Sequence, residues 1–270
     1  MAVAAQVFPE VLIEGRAFSR VILGHNPFLG YCYYSKARAS EYEERFADQR
    51  RIAEVIRAAL EAGARGMMLS LDHPRQEMII NALAEESEAL GMQIPTFAIL
   101  TPGFEQKTEL LKRANAQVGL LHGQVTDKLY RPETRDFAPE FAEHMARMRD
   151  LGLAPGASTH NAGDTVPAMA GHDTVVINTP VNKVGWHMRP SRKAALAALA
   201  ATDKVVVGMK PLAMARVPPD EGMAYTLGRP EVDLVVVGLA TPEEAKETFG
   251  AALQAIQSKR AVSKELRRMK

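Results

Sequence analysis

The sequence predicts a single α/β domain over residues 1–270: a (β/α)8 TIM barrel with a short N-terminal β-hairpin at the barrel floor. Three observations carry this. Eight short apolar runs alternate with amphipathic stretches along the whole chain. Several runs are continuously apolar rather than alternating, as parallel strands buried on both faces are. No long linker or composition break interrupts the pattern, and 270 residues suit one large barrel. An open doubly wound sheet competes, but it opens on a Gly-rich first turn, which Gly24-His25-Asn26-Pro27-Phe28 does not provide.

Residues 1–18 read as a small hairpin turning at Glu14-Gly15, because glycine supplies the positive φ of a tight turn. The barrel strands are predicted at 20–24 (RVILG), 66–70 (GMMLS), 96–100 (TFAIL) and 118–121 (VGLL). The second half supplies 155–159 (PGAST), 174–178 (TVVIN), 204–208 (KVVVG) and 234–238 (LVVVG). Between strands, 48–62 places Ile52, Val55, Ile56, Ala59 and Leu60 on one side, and Gly63 then stops the helix. Stretches 74–90, 107–114, 139–151, 191–201 and 242–256 read the same way, while 164–170 and 220–227 allow only short helices. The basic tail 258–270 reads as a solvated terminal helix.

Charge and cysteine content remove several function classes. Lys plus Arg (33) nearly cancels Asp plus Glu (32), leaving no field to draw nucleic acid or an anionic membrane. No segment approaches the ~18 apolar residues of a membrane helix. The N-terminus lacks the basic start and long apolar core of a secretion signal. The one cysteine, Cys32, excludes an internal disulfide and fits a reducing compartment. The expectation is a cytoplasmic protein that takes a small-molecule substrate, without nucleic-acid or membrane partners, and that can form an oligomer.

Barrels of this kind draw their catalytic groups from the C-terminal ends of the strands and the loops beyond. Five of the seven histidines stand there: His25 after the first strand, His73 after the second, His122 after the fourth, His160 after the fifth, and His187 in the loop after the sixth. Histidine moves protons near neutral pH and is the commonest metal ligand. His144 on a helix and His172 in a loop leading into the sixth strand are expected to be structural or solvated.

Motifs along the chain resemble the aldo-keto reductase superfamily. They are Gly24-His25-Asn26-Pro27-Phe28-Leu29-Gly30, Val118-Gly119-Leu120-Leu121-His122-Gly123, Gly156-Ala157-Ser158-Thr159-His160, Ile177-Asn178-Thr179-Pro180, Lys210-Pro211-Leu212-Ala213 and Val235–Glu244. The resemblance implies the barrel, and it implies that His122 matches the family's catalytic histidine and that Asn178 stands where a glutamine holds nicotinamide. Thr159 replaces an asparagine with the same task. The family's tetrad is Asp, Tyr, Lys and His. Here the aspartate position carries Met68, the tyrosine position carries His73, and the third strand ends Ile99-Leu100-Thr101-Pro102-Gly103 with no lysine.

The catalytic candidates are therefore His122, His73, His160 and Lys210; a lysine at a strand end can bind an anion, form a Schiff base or act as an acid once desolvated. Asp233 or Glu221 would pair with Lys210 if it were only structural. Substrate-binding candidates are His25, Asn26, Asp72, Ser158, Asn161, Asn178 and His187. Asp72 or His73 could cap a helix opened by Pro74. Asp127, beside Lys128, could orient the His122 imidazole. Gly238 and Thr241, at the start of the last helix, are candidates for a phosphate site, although Glu243 and Glu244 already complement that helix dipole. Tyr31, Cys32, Tyr33 and Tyr34 are expected to wall the pocket.

These residues favour a non-redox enzyme of lyase, isomerase or hydrolase type, in which histidine and lysine perform acid–base work on a small carbonyl, sugar-like or carboxylate substrate. In a metal-assisted variant, His25, His73, His122 and His160 would hold a divalent cation. The alternatives are an NADPH-dependent reductase in which His122 and His73 replace the usual acid pair, and a catalytically inactive barrel with a binding role.

Overall fold

The computed structural model describes residues 8–32 and 35–268, with side chains through residue 258. Strands β1 (Glu10–Ile13) and β2 (Arg16–Ser19) form an antiparallel hairpin. Its two turn residues, Glu14 and Gly15, both have positive φ (47° and 80°), the geometry that matches the twist of a two-residue hairpin. Ile13 and Phe18 turn inward and join the cluster that fills the barrel, with the Phe18 and Phe97 rings 4.4 Å apart. The hairpin therefore closes the floor, as the sequence predicts; residues 1–7 of the predicted hairpin segment lie outside the described residues.

The barrel strands are β3 (Val21–Gly24), β4 (Met67–Ser70), β5 (Thr96–Leu100) and β6 (Ala116–Leu121). After the small hairpin β7 (Tyr130–Arg131) and β8 (Asp136–Phe137) come β9 (Ala154–Ser158), β10 (Val176–Pro180), β11 (Val205–Met209) and β12 (Leu234–Gly238). Eight of them close a parallel barrel in the order β10-β11-β12-β3-β4-β5-β6-β9. Their centres match the predicted runs and their ends shift by a residue or two. Ile22, Met68, Phe97, Val118, Leu120, Val207 and Leu234 fill the interior, while a larger cluster packs the outer strand faces against the helices. Fully burying one such side chain contributes roughly 1.5–3 kcal/mol.

The helices are α1 (Lys36–Arg45), α2 (Gln49–Glu61), α3 (Gln76–Ala89), α4 (Thr108–Arg113) and α5 (Gly123–Leu129). They continue with α6 (Pro139–Asp150), α7 (Ala162–Met169), α8 (Arg192–Ala200), α9 (Pro219–Gly228) and α10 (Pro242–Arg268). In α2 the predicted face is the buried one, and Asp48 caps it by accepting the Arg50 N–H at 3.0 Å. Two helices depart from the expectation. α1 buries no residue, so no apolar period marks it; Ser35 starts it by accepting the Arg38 N–H. α5 is a seven-residue helix begun by His122 itself. Pro74 does not open α3, which starts at Gln76 after a turn. The last helix runs on from the predicted 242–256 into the basic tail, of which residues 269 and 270 lie outside the described residues. Among the described residues no helix is long and apolar enough to cross a membrane.

Candidate active site

Three imidazoles at the C-terminal strand ends have their tautomers set by backbone partners. His25, directly after β3, is buried, and its Nδ1 lies 2.9 Å from the Met68 carbonyl oxygen. A carbonyl only accepts, so Nδ1 carries the proton and Nε2 keeps its lone pair. Burial pushes this imidazole down to about 4, so it is neutral at pH 7. His122 is the N-cap of α5, and its Nδ1 accepts the Gln124 N–H at 3.2 Å. His73, in the turn after β4, accepts the Arg75 N–H at the same distance. Burial lowers both below the usual histidine range, and the Arg75 charge adds to this at His73. Neutral rings with Nδ1 engaged this way present Nε2–H. The mouth therefore holds two N–H donors and one lone-pair acceptor.

His160 follows β9, where Asp127 of α5 accepts its backbone N–H (3.1 Å) and the Thr159 hydroxyl (2.5 Å). Asp127 therefore orients the β9 loop, and not His122 as the sequence suggested, because the cap bond already fixes His122. The Asp127 carboxylate is also 3.8 Å from His160 Nδ1, but burial and then the Lys210 charge still push that imidazole down to about 3. His187 is exposed, with φ 57° and its ring 5.5 Å from that of His160.

Lys210 directly follows β11 with φ 58°, a left-handed conformation costly for a side chain with a Cβ. Burial pushes its amine down to about 8. Its charge lowers His25, His122, His160 and His187 alike, which places it among them. The acids that sequence offered as its partners are engaged elsewhere. Glu221 binds Lys183, and Asp233 accepts the Val206 N–H.

The sequence reading missed one lysine. Lys107, in a 3-10 turn (Phe104–Lys107) beyond β5, reaches back to the β4 loop and bonds both Asp72 and the Leu71 carbonyl. The strand end itself carries no lysine, but the loop after it supplies one. Asp72 is thus an ion-pair partner rather than a helix cap, and its charge partly offsets the lowering of His122.

At the barrel centre the Asn178 amide donates to Ser158 Oγ at 3.0 Å between the sulfurs of Met68 and Met209, while its Oδ1 is buried without a partner among the described residues. Asn178 also lines a cavity of about 380 Å³ enclosed by residues that follow β3, β11 and β12. Its wall carries His25, Asn26, Asn178, Lys210 and Gly238, together with Arg38, Glu244 and Glu247. His73, His122 and His160 stand beside this cavity and not on its wall. Asn161 starts α7 and accepts backbone N–H groups from Asp164 and Thr165. Tyr31 and Cys32 line the wall as expected, whereas Tyr33 and Tyr34 lie outside the described residues.

At the N-terminus of α10, where the sequence offers a phosphate site, Thr241 accepts the Glu244 N–H at 3.1 Å, and the Glu244 carboxylate accepts the Ala240 N–H at 2.8 Å. Among the described residues no group of three His, Cys, Asp or Glu, the set of His25, His73, His122 and His160 included, is placed to hold a metal ion. Three of these rings already use Nδ1 on the backbone.

No family model and no curated protein matches the sequence. Solved structures do match the fold. A Pseudomonas aeruginosa protein assigned to the aldo-keto reductases superposes with a TM-score of 0.64 at 18% identity, covering 92% of this chain and 96% of that one. The aldose reductase of Schistosoma japonicum gives 0.61 at 16%, covering 88% and 84%. An aldo/keto reductase from Brucella melitensis gives 0.61 at 13%, covering 91% and 93%. The chain has the closed barrel of the aldo-keto reductases, with imidazoles and an Asp72–Lys107 pair at its mouth.

Proposed function

We propose that the chain is an oxidoreductase that reduces the carbonyl of a small polar compound with a nicotinamide dinucleotide. The observation that carries this is the two Nε2–H imidazole donors, His73 and His122, at a barrel mouth whose neighbouring cavity is lined by Asn178. The shared fold with reductases supports it beyond the non-redox reading that the sequence alone favours.

The residues fit one end of the cofactor and qualify the other. The orphaned Oδ1 of Asn178 suits a carboxamide N–H, and Ser158 holds the Asn178 side chain in place. Glu244, Glu247 and Arg38 also line the cavity, with the Arg38 guanidinium 3.7 Å from Glu244. Carboxylates accept ribose hydroxyls and repel an added phosphate, so NADH is favoured over the NADPH of the reductase alternative, a cofactor the sequence alone made the less expected one. Hydride for the carbonyl carbon is what reduced nicotinamide supplies when bound. The chain's own part is to hold the carbonyl oxygen on the Nε2–H groups of His122 and His73, where negative charge develops. A neutral imidazole at a helix N-terminus polarises the carbonyl, and the alkoxide that hydride addition leaves takes the His122 Nε2 proton, which water at the partly exposed ring replaces. The Lys107–Asp72 pair keeps a fixed charge distribution beside them.

The protein's one tryptophan, Trp186, stacks edge-on with His187 and reports on this face. NADH is expected to quench its fluorescence saturably, and His122→Ala is expected to bind NADH normally while losing turnover of small aldehydes. Absence of saturable binding of either nucleotide up to millimolar concentration would remove the reading. One observation keeps the non-redox alternative in view: Lys210, a buried amine, lines the same cavity as the lone-pair acceptor His25.

A further inference from the structure

We propose that Lys210 is a covalent catalyst: its Nζ condenses with the carbonyl carbon of a small aldehyde or ketone in the cavity to form an imine. This rests on the carbonyl-substrate part of the reading above and not on its nicotinamide part. Three features of the structure support it. First, the amine is on the wall of the cavity, amid Met209, Pro211, Leu212 and Met214, with Nζ 3.9 Å from the Met209 sulfur. Second, the backbone that carries it is held out of its preferred region, with positive φ at Lys210 and again at Ala213, Met214 and Ala215. Each such residue costs about 1–3 kcal/mol, and strain of this kind gathers at functional sites. Third, His25 lines the same cavity with a lone pair on Nε2, whereas His73 and His122 offer N–H.

A lysine desolvated in an apolar pocket is an ordinary source of a nucleophilic amine, and burial is what lowers this one. With the amine near 8, about a tenth is free base at pH 7, against about three parts in ten thousand for an exposed lysine. The step balances without an oxidant or reductant. The N–C bond forms as the carbonyl π-bond opens onto oxygen. Two protons then leave nitrogen for that oxygen, carried by His25 Nε2, and the C–O bond breaks to release water.

The test omits nucleotide altogether. The protein is incubated with glycolaldehyde or pyruvate in the presence of sodium cyanoborohydride, and intact mass and peptide mapping locate the reduced adduct. One adduct per chain at Lys210 is expected, lost in Lys210→Met and retained in Lys193→Met, a change on an exposed face of α8. Adducts spread over exposed lysines with Lys210 unmodified would overturn the proposal. Mapping on the unaltered chain decides this even if Lys210→Met fails to fold. NADH titration, run separately, shows whether the nicotinamide reading stands or falls independently.

Discussion

His122 serves two purposes that substitution can separate. As the N-cap of α5 its Nδ1 satisfies the Gln124 N–H, worth about 1 kcal/mol. As a donor its Nε2–H meets the developing oxyanion, and removing such a donor costs about 10²–10³ in rate. His122→Asn is expected to restore the cap and the melting temperature but not kcat, while His122→Ala loses both. A variant with full activity would show that the imidazole is only a cap. Lys210 gives the opposite sign for stability. At about 1.4 kcal/mol for each tenfold step, keeping its ammonium from water costs up to about 3 kcal/mol. Lys210→Met is therefore expected to raise the denaturation midpoint while abolishing the imine adduct, and a lowered midpoint would contradict that account of its burial.

Between elements, Glu244 and Glu247 of α10 line the cavity with Arg38 of α1. Replacing Glu247 by Arg is expected to raise NADPH affinity at least about tenfold, the 1.4 kcal/mol of one favourable charge contact, with NADH little changed; equal effects on both nucleotides would place the phosphate elsewhere. The barrel elements were legible because runs such as 234–238 (LVVVG) are buried on both faces and leave no room for an alternating pattern. α1 was not legible, since a helix that buries nothing writes no period. The Asp72–Lys107 pair was hidden for a different reason: 35 residues separate its members, and only the closure of β4 onto β5 brings their loops together. Pro74 misled because a proline can sit in a turn ahead of a helix as readily as at its first position. The strand-end histidines were placed correctly by the barrel rule alone, but which imidazole donates and which accepts is set by backbone partners that no spacing encodes.

For the whole molecule, the neutral imidazoles tie stability to pH. Below about 6.5 the unfolded chain takes up protons on His25 and His160, whereas the folded chain refuses them until about 4 and about 3. Stability therefore falls as pH falls through that window, by up to about 1.4 kcal/mol per pH unit for each group. Denaturant melts at pH 7 and pH 5 check this, and His160→Gln is expected to flatten the slope; an unchanged slope would mean that other groups set it. The same closed barrel that buries these rings carries the cavity beside them, and the central claim is that hydride passes from a nicotinamide bound there to a carbonyl. Single turnover with NADH deuterated at C4 and a small aldehyde tests it most directly. Deuterium on the carbinol carbon of the product is expected, and turnover that yields unlabelled product, or none while Trp186 fluorescence ignores the nucleotide, would contradict it.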